Sequence, residues 1–347
     1  MNQGFRNFPV VDLFAGPGGL GEGFATLKNS NGSRAFESIA SIERDEFAHQ
    51  TLHLRHFLRS FPEGEFPAEY YEYLAGNISK KSLFESFPSH KKHADQSALK
   101  ISLGDEDADK VHQIISDRLK GAKLWALVGG PPCQAYSLVG RSRMKNDPSF
   151  SKDIRHFLYK EYLSIIAKHS PPIFVMENVK GLLSSKAGDN FVIDMILGDL
   201  KNPRLALQQS EPNIEYKLYG LAGNALPGII EDPREFIVRA EEYGVPQARH
   251  RMFIVGVRSD INLQPSRLEP QKMLSLKEVI GDLPSLRSGL SKGTDDYKNW
   301  LNAIKVLATS DFNFDTEGLS ASEHFKSKLL ANFKSLGKLD PGRRNTH

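Results

Sequence analysis

Five short apolar runs limit how this chain can fold more than any other feature. PVVDLF (9–14), SIASIE (38–43), LWALVGG (124–130), PIFVMENV (172–179) and RMFIVGV (251–257) are short, and several are rich in Val and Ile. Runs of this kind read as strands buried on both faces. The stretches between them are long enough to hold crossover helices. Strand–helix alternation predicts an α/β fold, a mostly parallel sheet with helices on both faces. In such sheets ligands bind where the carboxyl ends of the strands emerge, so the residues at those ends carry the functional argument. Two stretches interrupt the alternation. Residues 59–110 are polar and acidic toward SLGDEDADK, and read as an insertion or a loosely packed excursion. Residues 184–235 are rich in Gly, Pro and Asn, and read as a loop-bearing insertion. The pattern fades after Val257, which places a domain boundary near residue 262: a first domain over 1–262 and a second region over 263–347.

Composition removes several classes. With 39% hydrophobic and 25% charged residues the chain is an ordinary globular one, not disordered, collagen-like or a coiled coil. No apolar run reaches the roughly 20 residues of a membrane span, and the N-terminus lacks the order of a signal peptide. A soluble cytoplasmic protein is expected. Lys plus Arg number 45 against 42 Asp plus Glu, too mild a bias to imply nucleic acid by itself. The single cysteine, Cys133, excludes a disulfide framework and a multi-cysteine zinc site. The histidines show no metal-ligand spacing, so no metal is expected.

The first strand runs into DLFAGPGGLGEGF (12–24), where Gly16, Gly18, Gly19, Gly21 and Gly23 crowd a turn that should open a helix. Glycines there let backbone approach a ligand closely. Glu43 ends the second strand, about 20 positions beyond the turn, where a carboxylate can accept both hydroxyls of an adenosine ribose. The turn does not distinguish NAD from S-adenosylmethionine. LWALVGGPPCQAYS then puts Cys133 just past a strand end, behind Gly129-Gly130-Pro131-Pro132, which stops the strand and stiffens the turn. A thiol there reads as a nucleophile rather than as core filler. The following strand ends in ENV, so Glu177 and Asn178 reach the same edge, and a carboxylic acid beside a thiol points to covalent addition with proton donation. In GVPQARHRMF, Gln247, Arg249 and Arg251 alternate at period two and should share one strand face, with His250 on the other. Residues 134–160 carry six basic residues against two acidic ones, which suits a polyanionic substrate and a closing lid.

DLFAGPGGLGEGF, GGPPCQAYS, ENVKGLL and GVPQARHRMFIVG, in this order, resemble the DNA (cytosine-5)-methyltransferases. The blocks fall within residues 12–257, and Asp153, Arg155 and Leu158 match the D-x-R-x-x-L run of that family. The resemblance implies a Rossmann-like S-adenosylmethionine-dependent methyltransferase fold with a partial target-recognition region. It implies S-adenosylmethionine held by Asp12, Phe14, Ala15, Gly16, Gly18, Gly19, Glu43, Arg44, Asp105 and Pro131. It implies double-stranded DNA as substrate, with a flipped cytosine and contacts from Gln134, Ser137, Arg141, Arg143, Arg155 and Gln247. Cys133 would attack cytosine C6 and Glu177 would serve N3. Arg249 would hold the ring carbonyl and orient Glu177, while Arg251 and Asn178 support the pocket. A restriction-modification or defence setting is the expected context.

The sequence departs from the family pattern at its end. The family's final GN-x-V/L-P block is missing after the Q-x-R-x-R strand; GNALPG (223–228) resembles it but precedes Gln247 inside an insertion, and reads as a chance loop, with a rearranged block order as the alternative. Residues 263–347 are therefore expected to begin a recognition region that is not finished here, the rest coming from a second polypeptide or lost by truncation. Competing readings are a tRNA cytosine-5 methyltransferase, an NAD-dependent enzyme that uses a thiohemiacetal at Cys133, and a non-catalytic recognition or regulatory subunit.

Overall fold

The computed structural model describes residues 7–62, 64–104, 108–132, 154–187, 190–210, 212, 214–222, 232–283 and 288–309. The first strand, β1 (Phe8–Leu13), leads through the glycine turn into α1 (Gly19–Thr26), then β2 (Phe36–Glu43) and α2 (Glu46–Arg59). Asp45 starts α2 by accepting the Ala48 N–H at 2.8 Å, which satisfies one of the helix's orphan donors. Three short helices follow, α3 (Ala68–Leu74), α4 (Lys80–Ser86) and α5 (Pro88–Ser97), and then β3 (Ala98–Lys100), α6 (Ala108–Leu119), β4 (Ala126–Gly129), α7 (Ile154–His169) and β5 (Ile173–Val179). Beyond them lie the two-residue strands β6 (Lys186–Ala187) and β7 (Asn190–Phe191), α8 (Val192–Lys201), α9 (Pro203–Ala206), β8 (Tyr216–Tyr219), β9 (Ile237–Arg239) and β10 (His250–Arg258). Contacts divide the chain into two compact units, with the boundary between Ser275 and Leu276. The described part of the second unit holds α10 (Leu276–Ile280) and α11 (Tyr297–Thr309), where Tyr297 stacks on Trp300.

The sheet runs β3-β2-β1-β4-β5-β10-β8, with β9 also paired to β10. Strands β1 to β5 are mutually parallel, while β10 runs antiparallel to β5, β8 and β9. All five apolar runs became strands of this one sheet, and both faces are covered. On one face Val11, Leu13, Leu127 and Met176 pack with Ile115 of α6 and Leu163 of α7. On the other, Val10, Ala126 and Val128 pack with Phe24 of α1 and with Phe36. Burial on both sides is why the runs lack polar alternation.

Residues 59–110 are not a loose excursion. Phe57 of α2 packs against Leu83 and Phe84 of α4 and Ala94 of α5, with the Phe57 and Phe84 rings 4.4 Å apart edge to face. That satellite core fastens the short helices to α2, and β3 extends the sheet at its edge. Residues 184–235 likewise hold real elements: α8 buries Val192, Ile193, Ile196 and Leu200, and β8 pairs with β10. Among the described residues no helix is long and apolar enough to cross a membrane.

Candidate active site

The glycine turn after β1 is held by the end of β2. Ala15 N–H donates to the Ile42 carbonyl at 3.0 Å and Gly16 N–H donates to Glu43 Oε2 at 2.8 Å. Glu43 Oε1 accepts from the N–H groups of Arg44 and Asp45 at 2.8 and 2.7 Å. One carboxylate thus ties the first two strand ends together. Gly18 caps α1 with φ 90°, a left-handed conformation that favours glycine, and a Cβ there would come within 2.9 Å of Leu52. Phe14 also takes a left-handed φ of 55°, unusual for a residue with a side chain.

Above this turn lies a cavity of ≈ 250 Å³. Phe14, Glu43 and Arg44 line it, and Ile42, Ile101, Leu103 and Leu158 supply an apolar wall. An apolar slot with a carboxylate at its edge suits a heterocyclic base joined to a diol. Three N–H groups occupy Glu43, which leaves acceptor capacity on a group with about four lone-pair sites, so these residues fit the nucleoside part of S-adenosylmethionine. Ala15, Gly16, Gly18 and Gly19 form the turn beside the cavity without lining it. Asp105 lies outside the described residues.

Asp12 is elsewhere. It is 1% exposed, and neither carboxylate oxygen has a hydrogen-bond partner among the described residues. It faces α1, where a Cβ on Gly21 would come within 2.9 Å of its Oδ2. Burial drives its pKa up to about 7, with Arg59 opposing the rise and Glu43 adding to it. The expectation that Asp12 touches cofactor is therefore replaced by a buried position under the first helix, because its side chain lies on the α1 face of β1.

A second group of side chains gathers where β4 and β5 end. Gly129 pairs with Met176, so Gly130 arrives beside Glu177, and a Cβ on Gly130 would meet Glu177 Oε2 at 2.9 Å. Asn178, 6% exposed, donates from Nδ2 to the Pro131 carbonyl at 3.2 Å, and its Oδ1 accepts the Val179 N–H at 2.8 Å. Asn178 therefore clamps the Gly-Pro-Pro turn to β5. Gly130 and Pro132 line the cavity, whereas the ordered contact of Pro131 is this carbonyl bond. Arg251 Nε pairs with Glu177 Oε1 at 3.0 Å, and Arg251 Nη1 donates to the His250 carbonyl at 2.8 Å. Burial raises the Glu177 pKa above its usual value, and Arg251 and then Arg249 work against the rise.

The guanidinium in contact with Glu177 is thus that of Arg251 and not that of Arg249. The period-two reading required a strand from Gln247 onward, but β10 begins at His250, and Gln247 and Arg249 are exposed in the preceding bend. His250 binds Glu241 at 2.6 Å. Cys133, Gln134, Ser137, Arg141 and Arg143 lie outside the described residues, as does the Arg155 side chain. The sequence reading missed the apolar wall. Leu158 carried a motif signal, while Ile101 and Leu103 follow a three-residue edge strand that carries none.

The structure is thus a mostly parallel α/β sheet with a cavity where β1 and β2 end and an acid–guanidinium pair where β5 ends. Residues 98–202 and 233–334 match the model of the family described as C-5 cytosine-specific DNA methylase, and the chain belongs to that family. It is similar to the type II methyltransferase M.Bpa9945I of Bacillus paralicheniformis, 31% identical over 303 residues that cover 80% of this chain and 61% of that protein. It is also similar to the type II methyltransferase M.DdeI of Desulfomicrobium norvegicum, 30% identical over 295 residues, 83% of this chain and 51% of that one. The chain spans from half to about three-fifths of the length of these curated relatives.

Proposed function

We propose that this protein methylates C5 of cytosine in double-stranded DNA at a specific sequence, in a type II restriction-modification setting, with S-adenosylmethionine as methyl donor. The observation that carries the reading is Glu177: a half-buried carboxyl with a raised pKa, paired to Arg251 and packed against the Gly-Pro-Pro turn that immediately precedes Cys133.

The reaction needs a base taken out of its stack, since cytosine C6 is inaccessible inside a duplex. C5 is a poor nucleophile. The Cys133 thiolate forms a bond to C6, and the ring electrons displaced by that addition collect at C5 and N3. A protonated Glu177 donates to N3 and absorbs this charge. When bound, S-adenosylmethionine supplies an electrophilic methyl group to C5. A base then removes the C5 proton, the C5–C6 double bond reforms and the sulfur leaves with its electron pair. Splitting one hard substitution into addition and elimination is the general advantage of a covalent nucleophile. Arg251 fixes the Glu177 carboxyl, and Asn178 fixes the turn that leads to the thiol. Glu43, Phe14 and the apolar wall hold the cofactor's nucleoside part.

The test is transfer of labelled methyl groups to duplex DNA and, in parallel, to tRNA, followed by bisulfite sequencing. Methylation of duplex cytosine at one recurring sequence supports the reading. Transfer confined to tRNA, or none with either substrate, overturns it.

A further inference from the structure

A second cleft, of ≈ 440 Å³, opens at the other ends of β2 and α2. Its lining includes Arg34, Ser38, His56, Arg59, Ser60 and His93, and shares no residue with the cofactor cavity. The two lie at opposite ends of the same elements. Glu43 and Arg44, at the carboxyl end of β2, line the first, and Ser38 and Arg59 line the second. Since α2 has 14 residues, its ends are roughly 20 Å apart at 1.5 Å per residue.

Three features make this cleft more than a surface dent. First, Ser38 Oγ and Arg59 Nε are buried polar atoms without a hydrogen-bond partner among the described residues. A buried polar atom left unpaired is destabilising, so a ligand that pairs with it is favoured. Secondly, local irregularity creates the position. The register of β1 against β2 shifts between Val10, opposite Ser38, and Val11, opposite Ala40, and such bulges redirect side chains. Thirdly, two guanidiniums, Arg34 and Arg59, line the cleft against one carboxylate, Glu37, with Glu22 and the buried Asp12 also acting on Arg59. Arg59 donates from Nη2 to Glu22 at 2.7 Å, but its Nε remains, and Arg34 bonds the Arg59 carbonyl. The His56 and His93 imidazoles are held toward their neutral forms by burial first. The charge of Arg59 adds to this at His56 and that of Arg34 at His93, while Glu37, also in the lining, favours charge on His93.

The geometry points to a binding site for a small phosphomonoester of about mononucleotide size, its phosphate held by the Arg59 guanidinium and the Ser38 hydroxyl. Phosphate oxygens accept charge-assisted bonds from guanidinium N–H groups, and the volume falls within the range of small-molecule sites. Burying a dianion beside His56 and His93 offsets the field that keeps them neutral, so binding should draw protons onto one or both rings.

The experiment is calorimetric titration of deoxyadenosine 5′-monophosphate, with deoxyadenosine as the phosphate-free control. The protein is first saturated with S-adenosylhomocysteine so that the cofactor cavity cannot take the probe. Binding of the monophosphate and not of the nucleoside is expected, weakened at least tenfold by Arg59→Gln and several-fold by Ser38→Ala. Nitrogen-15 spectra of the histidine rings should show His56 or His93 gaining proton character on binding. No binding at millimolar probe, equal binding of the nucleoside, or ring signals of both histidines that stay still would overturn the proposal. Should Arg59→Gln fail to fold, the Ser38 variant and the ring spectra decide alone.

Discussion

Two carboxylates end two strands of the same sheet, and their surroundings separate their work. Glu43 at the end of β2 accepts three backbone N–H bonds, from Gly16, Arg44 and Asp45. Glu177 near the end of β5 has Arg251 and a half-buried setting whose desolvation raises its pKa. A carboxylate ringed by fixed amides is a rigid acceptor, suited to holding a ligand. One that is partly desolvated and has fewer donors has its pKa raised, which favours the protonated form that can hand a proton on.

Replacing the proton donor should break this contrast most severely. Glu177→Gln keeps the shape and removes the acid, and methyl transfer at saturating cofactor should fall by about 10²- to 10⁴-fold, with cofactor affinity little changed. A fall in affinity with the rate intact would reverse the two assignments. Asp12 supplies a third carboxylate, buried and without a hydrogen-bond partner among the described residues, and its effect is on stability. The folded chain keeps its proton up to about pH 7, whereas the ordinary value is 3.8. The unfolded state therefore binds fewer protons between these values, and stability drops as pH rises across that window. Full cost is reached above pH 7 and amounts to at most roughly 4 kcal/mol. Asp12→Asn should thus gain on the wild type in denaturant melts from pH 5 to pH 8, and a constant gap would contradict the cause given.

Glu43→Ala should raise the dissociation constant of S-adenosylhomocysteine by about 10- to 100-fold, the scale of a lost charged hydrogen bond, while sparing the rate at saturation. The smallest effect is on titration alone. Arg251 and Arg249 both hold the Glu177 pKa down, Arg251 the more strongly. Carbon-13 spectra of the Glu177 carboxyl should therefore show its titration moving to higher pH in Arg251→Gln, and less far in Arg249→Gln.

What was legible in the sequence follows from burial. Central strands covered on both faces must be continuous apolar runs, and all five could be read. Glu43 and Glu177 were legible because they close two of those runs. β3 and β9 have three residues each and β8 has four, so none leaves a periodicity, and their places are set by pairing with longer neighbours. The short helices α3 to α5 were hidden because their apolar residues meet α2 rather than the main core. The family resemblance gave Arg249 the orienting part, and strand alternation put both guanidiniums on one face, but β10 begins only at His250, so it is Arg251 that pairs with Glu177.

The central claim is that a sulfur atom of this chain bonds transiently to the base that is methylated. Duplex DNA carrying 5-fluorocytosine at the target position blocks the final proton loss, because fluorine replaces the C5 hydrogen. Incubated with the protein and S-adenosylmethionine, it should yield a denaturation-resistant adduct that peptide mapping locates at Cys133. Methylation of ordinary target DNA by the same preparation, with no adduct on the fluorinated duplex or with one at another residue, would contradict the account.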